Sequence, residues 1–202
     1  MKKIRLTSFV IVFAIAFLFS GLSFSSVVSQ FLIPCGYFQD VITWNVGDYT
    51  TYTLNLGFLG SGSVKKSVVK DEETSLWLKV EAKIPFGDQN IDIQIRKADG
   101  KVLKMIINGK EQPNLGDHKI KIIEKRPEEV KVPAWDQPFK TIFVKVKDET
   151  DDAEVDTWIN PNTLPNQPKT PLEGSVKMII KKGFLTSTME LSEYGFSSAL
   201  RP

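Results

Sequence analysis

The chain holds one histidine, His118, and one cysteine, Cys35. A Ser-His-Asp relay or a histidine-based metal site would have to rest on His118 alone, with no thiol near it in sequence. An exposed strand-start residue beside Asp117 explains it more simply. Asp148, Glu149, Asp151, Asp152, Glu154 and Asp156 supply the hard oxygen donors that calcium takes. Their spacing fits no EF-hand loop, and the glycine of such a loop is missing. The run reads as a solvated hairpin tip. We assign no catalytic, cofactor-binding or metal-binding residue and expect a non-enzymatic protein.

The remaining candidates bind rather than react. Trp44, Trp77, Trp135 and Trp158 could line a ligand cavity, though tryptophan in a sheet protein is ordinarily core or rim. Trp77 falls on the polar side of an alternating strand, where the neighbouring space is either solvent or a cavity. Trp77 and Trp158 are the candidate cavity residues, for a lipid or another hydrophobic ligand. Net charge is +2 over 202 residues, with Lys2, Lys3 and Arg5 all in the leader. The remainder has acids and bases interspersed, which gives no electrostatic footprint for nucleic acid.

The elements that must position these residues read as strands. Composition is 42% hydrophobic and 25% charged, ordinary for a globular domain large enough to be stable without a disulfide framework. From Val41 onward, short β-forming runs alternate with turn residues, and no window keeps apolar residues at helical spacing. Leu76, Leu78, Val80 and Ala82 face one way, against Trp77, Lys79, Glu81 and Lys83. Ile91, Ile93 and Ile95 repeat the pattern, with turns at Asp99-Gly100 and Asn108-Gly109. Runs over 48–56, 63–70, 101–107, 118–124, 141–147, 154–159, 175–181 and 185–191 bring the expected total to nine to eleven strands. Asn160–Pro171, with four prolines, is expected to be an ordered loop or a polyproline stretch.

Ahead of this domain, Lys2, Lys3 and Arg5 precede an apolar run from Phe9 to Phe19, the layout of a secretory signal. The run is short of the roughly 20 residues that span a bilayer. Cleavage after Ser29 or Ser25 and retention as an anchor that uses Val27–Ile33 are both open. Leu32-Ile33-Pro34-Cys35 has the outline of a lipobox, so Cys35 is a lipidation candidate, although Pro34 stands where a small residue is usual. The expected organisation is a signal or anchor over 1–29, a linker over 30–43, an antiparallel β domain over 44–197 and a tail over 198–202. The expected location is the periplasm or cell envelope.

Four segments carry a family likeness: Val132-Pro133-Ala134 with Phe139-Lys140-Thr141, Trp158-Ile159-Asn160-Pro161, Pro171-Leu172-Glu173-Gly174-Ser175-Val176-Lys177, and Glu190-Leu191-Ser192-Glu193-Tyr194-Gly195. Together they resemble a family of secreted bacterial domains similar to the periplasmic lipoprotein-carrier superfamily. That resemblance implies a curved antiparallel sheet forming an unclosed half-barrel around an apolar cavity, with few or no helices outside the leader. It also implies binding of a lipid or acyl chain. The alternative is an envelope assembly module that pairs with a protein partner through an exposed sheet edge.

Overall fold

The computed structural model describes residues 44–112, 119–150, 152–164 and 166–197. Within them lie eleven strands: β1 (Tyr49–Asn55), β2 (Ser61–Asp71), β3 (Ser75–Lys83), β4 (Gln89–Arg96), β5 (Val102–Ile107), β6 (Lys110–Glu111), β7 (Ile120–Val130), β8 (Phe139–Asp148), β9 (Ala153–Ile159), β10 (Ser175–Lys182) and β11 (Leu185–Gly195). A single 3₁₀ turn, Gly57–Leu59, sits between β1 and β2. All strands join one antiparallel sheet in the order β6-β5-β4-β3-β2-β1-β11-β10-β9-β8-β7. The chain is therefore a meander whose ends meet in the middle, where β1 pairs with β11.

The expected mainly antiparallel, unclosed sheet is what the chain forms, and connectivity requires the curvature. Laid flat, eleven strands would hold the two edges about 48 Å apart. The links from Gln112, just past β6, to Lys119, just before β7, reach only about 25 Å when fully extended. The edges must therefore curl toward each other. They do not pair, so β6 and β7 remain edges.

Period-two patterning sets the faces. Tyr52 and Leu54 of β1 lie opposite Val64 and Gly62 of β2. Leu78 and Val80 of β3 lie opposite Ile93 and Ile91 of β4. Met178 of β10 lies opposite Met189 of β11. These side chains share one face, and apart from Gly62 all of them are buried. Bulges bend the ladder at Thr51/Tyr52 against β11, at Val68/Lys70 and at Ile122/Glu124. Each adds local twist, which helps an open sheet to curl.

Two elements depart from the sequence expectation, and a third takes one of its two expected forms. The strand expected over 118–124 continues to Val130 through Pro127. Proline cannot donate to a ladder, but on an edge strand only one side needs donors. The two-residue β6 is too short to show any alternation. The third is the proline-rich stretch, which is an ordered loop whose end is core. Asn160, Thr170, Leu172 and Glu173 are buried, and Asn162 bonds Thr170 through both its side-chain amide and its carbonyl oxygen. Gly174 closes the loop at φ 70°, where a β-carbon would come within 2.7 Å of the Asn160 carbonyl. Only glycine fits that approach without backbone movement.

Candidate functional site

The long β9–β10 loop delivers Glu173 across the apolar face to Lys66 of β2. Lys66 shares its row with Val64 and Val68, so its ammonium is brought to the interior by strand geometry. It is fully buried and paired with Glu173, whose side chain is 2% exposed. Beside them Tyr52 donates from its hydroxyl to the Ser175 carbonyl at 2.9 Å, and its ring lies 5.3 Å from Lys66 Nζ. Thr50, opposite Lys66 on β1, and Glu173 each keep one buried oxygen without a partner, Oγ1 and Oε2. The Lys66–Glu173 ion pair ties the end of the β9–β10 loop to β2, and the Tyr52 hydrogen bond ties β1 to β10.

The opposite face places both tryptophans singled out in the sequence, and places them apart. Trp158 of β9 lies between Phe143 of β8 and Lys177 of β10 in register. Its ring packs on Phe143 at 5.0 Å, and its indole N–H donates to Glu128 of β7 at 3.1 Å. Arg126 covers Phe143 from β7, and Lys177 turns from Trp158 to Glu190 of β11. Trp158 is thus buried under a cross-strand layer of stems and charges, a structural role. Near the same end, Trp135 of the β7–β8 turn packs edge-on against Phe139.

Trp77 belongs to another cluster, on β3, five strands from β9 along the sheet order. Its indole N–H, the Ser75 hydroxyl, the Gln94 amide and the Lys70 ammonium all donate to the Glu72 carboxylate. The two tryptophans therefore line no common pocket among the described residues.

Glu72 carries the clearest electrostatic consequence. The Lys70 ammonium, then the Ser75 hydroxyl and Trp77 indole, stabilise its charged form and lower its pKa from 4.5 to about 2. A depressed acid stabilises the fold above its unfolded pKa, and that contribution fades as pH falls through the folded value. Carboxyl-carbon NMR should show Glu72 titrating near pH 2. Glu72→Gln should remove its share of the pH dependence between about 4.5 and 2. A Glu72 midpoint near 4.5 would mean the four donors do not hold the carboxylate in solution.

The acidic run is not uniformly solvated, which corrects the hairpin-tip expectation. Asp148 and Asp156 are buried, whereas Glu149, Asp152 and Glu154 present their carboxylates to water. Asp148 caps that turn by accepting from the Thr150 amide at 2.9 Å, and Asp156 pairs with Lys181. Among the described residues no group of three His, Cys, Asp or Glu could hold a metal ion. No helix among them is long and apolar enough to cross a membrane. Cys35, His118, the leader, the linker up to Thr43 and the tail lie outside the described residues.

The exposed sheet edge raised from the sequence without a location has two candidates, β6 and β7. β7 is exposed along nearly its whole length, with Ile122 54% and Ile123 50% accessible. A shallow groove beside it is lined by Lys121, Ile122, Ile123, Lys147, Glu149 and Asp152. At the other edge, β6 shields only two residues of β5, and Leu103 of β5 is exposed. The signal was available. Ile120, Ile122 and Ile123 in a charged run show no alternation, as expected of a strand with neither face buried.

These features define a protein of the mainly β class, built on one unclosed eleven-stranded antiparallel sheet. No family model matches the chain, and no curated protein matches it. Among solved structures it is similar to the hypothetical protein CT021 from Chlamydia trachomatis, at 12% sequence identity with a TM-score of 0.49. That match covers 79% of this chain and 94% of the other.

Proposed function

We propose that this chain is a non-catalytic binding module of the cell envelope that takes an extended segment of a partner protein as an added strand beside β7. The observation that carries the reading is the pair of unpaired edges that a short connection draws together without closing the sheet. An edge strand presents a row of backbone donors and acceptors to any extended peptide. Lys125, Arg126 and Pro127 blunt the second half of β7 against indiscriminate pairing. Its first half, Ile120–Glu124, keeps every backbone N–H and displays two isoleucines beside the groove. Side chains of the incoming strand would fall alternately on Ile122 and on the lysines.

Selection of binders from a displayed library of extended peptides tests this. The Ile122→Lys/Ile123→Lys double variant should lose at least tenfold in affinity for the selected peptides. Its stability should stay within about 0.5 kcal/mol, since both side chains are half exposed. Peptides that bind the double variant equally well would count against the reading.

Carriage of a lipid or acyl chain would use the apolar face instead. That face is broad, but Leu76, Leu78, Ile91 and Ile93 on it are already buried, so a ligand there requires them to part. Native mass spectrometry after detergent-free purification separates the readings. A co-purifying acyl species would support carriage, whereas an empty chain that accepts peptide would support strand addition.

A further inference from the structure

The meander sends the β1–β2, β3–β4 and β10–β11 turns to the same rim of the sheet, and their strands are consecutive in the sheet order. Phe58 on the first turn and Phe184 on the last stack at 6.4 Å between ring centres. They are nevertheless 77% and 70% exposed, the most exposed large apolar side chains among the described residues. The middle turn touches the first, since a methyl group on Gly60 would come within 3.0 Å of Pro85. It adds half-exposed Phe86. Three adjacent tips thus form one apolar crest.

We infer that this crest docks on a lipid bilayer surface, with Phe58 and Phe184 entering the headgroup region. Three observations favour lipid over a protein groove or a second copy. The crest is convex, made of turn tips. In the first two turns backbone groups bond within the turn, by Leu56 N–H to Gly60 O, Gly60 N–H to Gly57 O and Gly87 N–H to Ile84 O, as entry into an apolar medium requires. Its charge complements anionic headgroups: Lys83, Lys181 and Lys182 flank the tips, and Asp88 is the one carboxylate on these three turns. Lys181 pairs with Asp156, which sits one strand further on, in β9. Aromatic tips with basic flanks are the side-chain pattern of interfacial anchoring.

Hydrogen exchange of the full chain, with and without vesicles of phosphatidylcholine and phosphatidylglycerol, provides the test, because it reads the tips separately from any N-terminal attachment. Amides over 56–60 and 182–185 should slow at least fivefold with anionic vesicles, and less with phosphatidylcholine alone. Phe58→Ser/Phe184→Ser should abolish that protection while exchange in β1, β2, β10 and β11 stays as in the parent chain, which shows that the variant is folded. Unchanged tip exchange on vesicles would overturn the inference. So would tip protection that appears without vesicles and grows with protein concentration, which would instead identify a second copy on the crest.

Discussion

Lys66→Ala should destabilise the protein by about 3–5 kcal/mol, the cost of stranding a buried carboxylate without its counter-charge. The lost partner is Glu173, and both side chains are shut away from water. Glu173 already has one oxygen without a partner, so losing the ammonium would leave its carboxylate further under-satisfied. Glu173→Gln should be milder, because the amide can still accept from the ammonium. The sharper outcome is the double variant. Lys66→Met/Glu173→Leu should be close to neutral or more stable than the parent, since a buried ion pair often only balances its desolvation. Urea unfolding of the three variants checks this. A Lys66→Ala loss below about 1 kcal/mol would mean that the pair is hydrated in solution.

Trp158→Ala should cost about 3 kcal/mol, and Trp158→Phe much less. The indole fills the space between Phe143 and the Lys177 stem and anchors Glu128 of the edge strand. Its removal leaves a cavity on the face opposite the main core and frees the second half of β7. Thermal unfolding reports the loss, and amide exchange in β7 should accelerate between Arg126 and Val130. An alanine variant with unchanged stability would instead mark Trp158 as a residue retained for a ligand.

Most of the strands were legible because one face of each is buried. Alternation in β3 and β4 states the face and the period at once, and Asn108-Gly109 states a turn. The curl was legible only through a resemblance, since it follows from pairing order and from the short reach between Gln112 and Lys119. β7 was half seen because Pro127 reads locally as a strand breaker, and only its edge position makes it harmless.

The buried pair shows the limit of local reading more plainly. Val64, Lys66 and Val68 occupy one row, and a lysine on an apolar row is a signal that some acid must come to it. Nothing near β2 says which acid. Glu173 lies 107 residues away, at the end of a loop whose buried end composition does not reveal. Trp77 and Trp158 were singled out as candidate cavity residues. Their partners, Glu72 and Glu128, belong to tertiary geometry.

Amide hydrogen exchange of β7, alone and with a selected extended peptide, tests the central claim of an open edge that accepts a strand. In the unliganded chain the outward amides of Ile120–Glu124 should exchange near the unprotected rate, while those of β8 are slow. Bound peptide should slow the β7 amides to rates like those of β8. Protected β7 amides in the unliganded chain, or peptide binding that leaves them fast, would contradict it.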